Sequence, residues 1–244
     1  MRGGDRVAKR IDIRGVIVSN DDQWIYDLFD IESTSPDMVN KQLEDADGDD
    51  LEVIINSPGG EVFAGSEIYT SLHDYPGEVT VKIVGVAASA ASVIAMAGDK
   101  TLISPTAQIM IHNVSTVARG DYREMEHATG FLRNYDKSIA NAYMLKTGLT
   151  QEELLQMMGQ ETWLNAQQAL EKKFVDEIMF DDGQLKLAAS INQAPLIPEP
   201  VINKMRNMKD KFKPLNEPEP ADDQSAFLMA KLQLLKLRKD VDDE

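Results

Sequence analysis

The sequence predicts an α/β domain with a mainly parallel sheet, followed by a tail that ends in a helix. Short β-branched runs alternate with helical patterns from residue 51 onward, which is typical of repeated strand–helix–strand units. All 15 glycines lie at or before Gly183, whereas six of the ten prolines lie within residues 195–220. A proline-rich stretch without glycine is typical of an extended linker. The predicted parts are a folded domain at 1–185, a linker at 186–221 and a terminal helix at 222–244.

Local signals define each element in chain order. The apolar, β-branched run 51–55 predicts a strand that ends at the turn residues Asn56-Ser57-Pro58-Gly59-Gly60. Gly148 is expected to end a long helix, and Thr150 with Glu153 three residues later forms a capping-box pattern that begins the next one. The other predicted strands are 79–84, 101–103 and 108–111, and the other predicted helices are 65–73, 87–97 and 121–146.

The last predicted helix has a broad apolar face. Acidic residues stand at its N-terminal end and basic residues at its C-terminal end, which complements the helix dipole. Such a face needs a surface to bury it, either on its own domain or on a second subunit or another protein, and the sequence leaves both open. The apolar residues are Phe227, Leu228, Met229, Leu232, Leu234, Leu235 and Leu237.

Composition excludes several classes of protein. The formal net charge of −16 argues against nucleic acid or an anionic membrane as the main partner, because both attract basic surfaces. The absence of cysteine excludes disulfides, thiolate zinc sites and a cysteine nucleophile. The longest nearly uncharged apolar run, residues 84–97, is short for a membrane span. We therefore expect a cytoplasmic protein.

Four short segments could carry chemistry. Ser89 follows a strand and small residues and stands where a helix begins, so it is either a nucleophile or a helix cap. Paired glycines at 59–60 could expose backbone N–H groups to an oxyanion or could form an ordinary turn. His112 follows an apolar strand and is either a general base or structural. Glu161 precedes an apolar turn and is either a functional carboxylate or solvated.

Together these segments resemble the ClpP family of self-compartmentalised serine peptidases. The matching sequences are INSPGG at 55–60, GVAAS at 85–89, MIH at 110–112, TG at 147–148 and LNAQQALEKKFVDEI at 164–178. The resemblance implies the ClpP/crotonase-like fold, with stacked β-α-β units and a protruding handle helix at 121–146. It also implies Ser89 as the nucleophile, His112 as the general base, and the N–H groups of Gly60 and Ala90 as the oxyanion hole.

The predicted acid departs from the family, which usually has aspartate. Counting forward from Thr147-Gly148 leads to Glu161, and serine hydrolases with a glutamate in the triad exist. Asp176 is the fallback acid. A Ser–Lys dyad would need a well-placed lysine, for which Lys82 and Lys100 are nearest in sequence. No metal or other cofactor is required by such a mechanism.

The resemblance extends to partners and to a biological role. It implies a ring homo-oligomer, a heptamer or stacked heptamers, with the handle helix at the contact between rings. The acidic first 50 residues and the tail beyond residue 185 look like those of ClpP-related phage head-maturation proteases, which cut scaffold and capsid precursors in the host cytoplasm or the assembling capsid and need no ATPase. The alternatives are a proteolytic subunit that works with a Clp-type ATPase, an inactive assembly partner, and a crotonase-type acyl-CoA enzyme.

Overall fold

A computed structural model describes residues 8–180, which belong to the first of the two units into which the chain divides, Met1–Leu185. Their strands form a sheet with the order β2 (Ser33–Thr34), β1 (Lys9–Ile17), β3 (Leu51–Gly60), β4 (Val79–Ala88), β5 (Lys100–Ile103) and β8 (Glu177–Ile178). Strands β6 (Gln108–Ile111) and β7 (Thr162–Asn165) extend the sheet from β4. Every pairing is parallel except that of β6 with β7. The predicted α/β class with a mainly parallel sheet is thereby confirmed. The predicted linker and terminal helix lie outside the described residues.

The first 50 residues contribute four elements that the sequence analysis did not assign. They are β1 (Lys9–Ile17), α1 (Gln23–Leu28), β2 (Ser33–Thr34) and α2 (Pro36–Ala46). Strand β1 pairs with both β2 and β3, so it lies inside the sheet. Its residues Ile11, Ile13 and Ile17 are buried, whereas its charged residues, at positions 9, 10, 12 and 14, are more exposed. Residues 10–14 alternate charged and apolar side chains, which is the pattern of a half-buried strand, so this element could have been predicted from the sequence.

The central strands are longer than their apolar runs. β3 spans Leu51–Gly60, α3 spans Val62–His73, β4 spans Val79–Ala88 and α4 spans Ala90–Ala95. The prediction of helix from residue 87 was wrong, because Ala87 and Ala88 pair with Ile109 and Met110 of the neighbouring strand. Ladder hydrogen bonds therefore override the helix propensity of alanine at these two positions.

Strand β4 changes its neighbour along its length. Its first half pairs with β5 (Lys100–Ile103) and its second half pairs with β6 (Gln108–Ile111). β6 then pairs antiparallel with β7 (Thr162–Asn165), which leads through α7 (Ala166–Glu171) to β8 (Glu177–Ile178). This change of neighbour brings the ends of β3, β4 and β6 together at one edge.

The long helix α5 (Tyr122–Thr147) has two different halves. Asp121 caps its start by accepting hydrogen bonds from Arg123 N and Glu124 N, and Gly148 ends it in the left-handed conformation, as predicted. We call residues 121–134 the handle, because none of their side chains is buried. The second half of the helix is different, since its residues Ile139 and Tyr143 belong to the core.

Helix α6 (Gln151–Gly159) begins at the predicted capping box. Thr150 accepts a hydrogen bond from Glu153 N, and the Glu153 carboxylate accepts one from Thr150 N. Within residues 8–180, no helix is long and apolar enough to cross a membrane.

Gly59 allows the end of β3 to lie against the turn that follows β4. Its φ is +92°, and a Cβ at this position would lie 2.5 Å from the Ala88 carbonyl oxygen and 2.7 Å from Ser89 Cβ. Ser57 supports the same turn, because its hydroxyl donates to Gly15 O at 2.6 Å and accepts from Gly59 N at 3.1 Å. Any side chain at position 59 would therefore displace the turn that carries Ser89.

We predict that Gly59→Ala destabilises the protein by about 2–5 kcal/mol, from left-handed strain of about 1–2 kcal/mol together with the steric clash. Gly148→Ala is the matched control, because Gly148 also has a positive φ of +73° but nothing lies within 4 Å of its Cβ position. Urea denaturation at one protein concentration measures the free energy of unfolding of the wild type and of both variants. Equal losses of unfolding free energy would contradict the steric argument.

Candidate active site

Ser89 and His112 form a hydrogen-bonded pair at the edge where β4 and β6 end. The distance from Ser89 Oγ to His112 Nε2 is 2.7 Å. Ser89 immediately follows β4 and His112 immediately follows β6, so the pairing of these two strands brings the residues together across 23 positions of sequence. A serine hydroxyl within hydrogen-bond reach of an imidazole is the arrangement that activates a serine nucleophile.

Ser89 has a strained backbone that presents its side chain. Its φ of 53° and ψ of −124° lie outside the ordinary regions for a residue with a Cβ, at a cost of about 1–2 kcal/mol. Two hydrogen bonds hold this conformation: Ser89 N donates to Met110 O at 2.9 Å, and Ser92 Oγ donates to Ser89 O at 2.6 Å. Ser89 makes no side-chain capping bond to α4, which argues against the interpretation as a simple helix cap.

Ser92 and Tyr143 form a buried hydrogen-bonded pair that supports the backbone of Ser89. The two hydroxyl oxygens lie 2.7 Å apart, and both side chains are fully buried. Burial raises the pKa of the Tyr143 phenol well above its ordinary value, so it stays a neutral hydrogen-bonding group. The predicted handle helix, 121–146, includes Tyr143, but this side chain packs in the core beside Ser92 and is not exposed for a contact between rings. Its spacing four residues after Ile139 could have indicated a buried face.

The predicted oxyanion-hole residues lie beside the pair. Gly60 and Ala90 line the same cavity as Ser89 and His112. Ala90 is the first residue of α4, so its N–H has no acceptor within the helix. Gly60 has a φ of +153°, and a Cβ there would lie 2.1 Å from Ile17 O, so the position requires glycine.

The cavity beside the pair has a volume of about 270 Å³ and a largely apolar wall. Residues from α3, α4, α5 and the segment after β6 form it. This arrangement places an apolar pocket directly beside a nucleophile. The apolar and aromatic lining residues are Val62, Phe63, Val93, Val114, Phe131, Leu132, Ile139 and Tyr143.

Glu161 precedes β7, one residue beyond the last pair of the β6–β7 ladder, and makes no hydrogen bond to His112. The antiparallel register pairs Met110 with Trp163 and Ile111 with Thr162, so the next positions in this register are His112 and Glu161. The carboxylate of Glu161 is exposed and accepts a hydrogen bond from Trp163 Nε1 at 3.4 Å. Glu161 also has a φ of 49°, an uncommon conformation that often marks a functional site.

The alternative acid and the alternative bases have other partners. Asp176 accepts hydrogen bonds at 2.7 Å from Thr101 N and from Lys146 Nζ. Lys82 pairs with Glu52, and Lys100 pairs with Glu177 at 2.6 Å. The geometry therefore offers no support for the fallback acid or for a Ser–Lys dyad. Within the described part of the chain, no cluster of three or more His, Asp or Glu could hold a metal ion.

Comparison with known proteins adds independent information. A family model described as Clp protease matches residues 30–182, which is more than half of the chain. An ATP-dependent Clp protease proteolytic subunit of Deinococcus radiodurans is 33% identical over 132 residues, covering 53% of this chain and 65% of that protein. The corresponding subunit of Chlorella vulgaris is 32% identical over 133 residues, covering 54% and 66%. One from Bacteroides fragilis is 31% identical over 134 residues, covering 54% and 65%. The chain thus spans just under two thirds of the length of these relatives.

Proposed function

The chain belongs to the Clp protease family, and we propose that it is a serine endopeptidase that cuts peptide bonds through an acyl-enzyme. The observation that carries this proposal is the 2.7 Å hydrogen bond between Ser89 Oγ and His112 Nε2, beside an apolar cavity. The same residues argue against an acyl-CoA enzyme of the crotonase type, in which this serine and histidine placement is not expected.

The proposed reaction follows from the positions of these groups. Ser89 Oγ attacks the carbonyl carbon of the scissile peptide bond while His112 Nε2 takes the hydroxyl proton. The N–H groups of Gly60 and Ala90 stabilise the oxyanion that develops on the carbonyl oxygen. His112 then gives its proton to the leaving amine, and water releases the acyl group from Ser89 by the reverse sequence.

We propose Glu161 as the acid of the triad. The register of β6 with β7 supports this role, because its last pair is Ile111 with Thr162 and His112 and Glu161 are the residues adjacent to that pair. In this role the carboxylate leaves Trp163, orients the imidazole and stabilises the imidazolium ion.

We propose that the enzyme assembles as a ring of identical subunits, heptameric as the family resemblance implies, with the handle at the contact between stacked rings. The exposed side chains Tyr122 and Met125 support this contact, because they are 76% and 38% exposed on the handle.

Two biological roles are compatible with a peptidase. Processing of phage scaffold and capsid precursors is our first proposal, supported by the acidic N-terminal region and by the tail, which extends beyond the family match that ends at residue 182. The second is a Clp-type proteolytic subunit that works with an ATPase, and the names of the relatives favour it. Cleavage of a co-expressed capsid precursor without an ATPase would support the first role. ATP-dependent degradation of an unfolded protein with a Clp-type ATPase would support the second.

Ser89→Ala is expected to abolish peptide hydrolysis and labelling by a fluorophosphonate while leaving the fold intact. Loss of the nucleophile of a serine-peptidase triad costs on the order of 10⁶ in kcat. Ser138→Ala is the control, because Ser138 is exposed on α5 and donates only to Asn134 O. Labelling that persists in Ser89→Ala and maps to Ser92 would show that the nucleophile is one helical turn away.

Glu161→Gln is expected to lower kcat strongly, though less than Ser89→Ala, because the acid orients the base and does not itself react. The comparison variant is Asp176→Asn, which should lower stability by weakening the contacts with Lys146 and Thr101 and leave kcat near that of the wild type. Steady-state kinetics with a fluorogenic peptide measures kcat for both variants and so distinguishes the two candidate acids, Glu161 and Asp176. Wild-type activity in Glu161→Gln together with loss in Asp176→Asn would reassign the acid.

Light scattering at micromolar concentration should show a particle of many subunits. Met125→Glu should weaken the stacking of rings, since it places a charge in the proposed apolar contact. Glu126→Gln, at the neighbouring exposed position of the handle, should leave the particle mass unchanged. A monomeric wild-type protein would refute the proposed assembly.

A further inference from the structure

The segment that follows His112 makes one hydrogen bond to the rest of the described domain, and its Val114 side chain also packs against the core. Residues 113–120 connect β6 to α5 and form neither helix nor strand. Within the described structure, the one hydrogen bond that these residues make joins Val114 N to Asp136 Oδ1 at 2.8 Å. His112 immediately precedes this irregular segment, so the position of the base depends on how firmly the segment is anchored.

Asp136 is a buried carboxylate that the proposed reaction does not use. It lies on the buried half of α5 and is 7% exposed. It forms no ion pair within residues 8–180. Burial of a carboxylate without a cationic partner is unfavourable, so its presence here indicates a specific role. The hydrogen bond that it accepts from Val114 N accounts for its burial, because a hydrogen bond between a backbone N–H and a carboxylate is strong.

The same segment forms part of the cavity wall. Val114, Ser115 and Thr116 line the cavity together with His112 and Ser89. A change in the position of Val114 would therefore alter both the geometry of the base and the shape of the pocket. Misplacement of a reacting group by about 1 Å can cost 10²-fold in rate.

We propose that Asp136 is a positioning residue for His112, acting as the hydrogen-bond acceptor that fixes Val114 N and with it the segment after β6. The proposal rests on the proposed peptidase function. Asp136 acts through the main chain and touches neither the substrate nor the reacting atoms. Its role is thus distinct from that of Glu161, which is proposed to contact the imidazole itself. What Asp136 provides is an acceptor oxygen, and its charge is not required for this purpose.

The test compares Asp136→Asn with Asp136→Ala. Asparagine keeps an oxygen that can accept from Val114 N, so Asp136→Asn should retain kcat/KM to within about threefold. Alanine removes the acceptor, and Asp136→Ala should lower kcat/KM about ten- to hundredfold, with both a lower kcat and a higher KM. Thr147→Val is the control for general damage to α5, because Thr147 is also buried but bonds only to Tyr143 O and Leu149 N. It should leave kcat/KM near the wild-type value.

Hydrogen exchange measures the anchor without relying on activity. The Val114 amide should exchange faster in Asp136→Ala than in the wild type and in Asp136→Asn. In Asp136→Ala, an unchanged exchange rate of the Val114 amide or a wild-type kcat/KM would overturn the proposal. A loss of kcat/KM in Asp136→Asn equal to that in Asp136→Ala would also overturn it, because it would show that the charge is needed. A wild-type protein that resists fluorophosphonate labelling would refute the peptidase function, and the exchange rates would still decide whether Asp136 holds the segment.

Discussion

The left-handed backbone of Ser89 is the constraint on which the site depends. A residue with a Cβ enters this conformation only when its surroundings hold it there. At Ser89 the surroundings are the Met110 carbonyl, the Ser92 hydroxyl and the close approach of Gly59. Because these contacts come from β6, α4 and β3, the nucleophile is presented only when the sheet is assembled.

Helix α5 connects both Ser89 and His112, the hydrogen-bonded pair of the site, to the core. Tyr143 contacts Ser92, which bonds to the backbone of Ser89, and Asp136 contacts the backbone two residues after His112. The two residues are seven positions apart and so lie on the same face of the helix. The handle, residues 121–134 of the same helix and its cap, has no buried side chain. A single helix thus joins the exposed surface proposed for assembly to the buried groups that support the site.

Much of the fold and of the site could be predicted from local sequence. Strong signals identified the long helix, the capping box at Thr150 and the strands around Ser89 and His112, because apolar periodicity and turn residues act over a few positions. Strand β1 was missed although its residues 10–14 alternate charged and apolar side chains, a local pattern that predicts a half-buried strand. The boundary between β4 and α4 was misplaced because an alanine run has helix propensity wherever it stands, and only the pairing with β6 makes its first part a strand.

The sequence by itself determined the class of the domain and the residues that could do chemistry. A serine after one strand, a histidine after a later strand and a glycine pair are visible as short motifs, since each depends on its immediate neighbours. Only the tertiary structure decided which side chains meet. In the folded domain Ser89 bonds to His112, Asp176 forms an ion pair with Lys146, and Asp136 accepts a hydrogen bond from Val114 N. These contacts join residues far apart in the chain, and hydrogen bonds act over about 3 Å, so they exist only after the sheet and helices have packed.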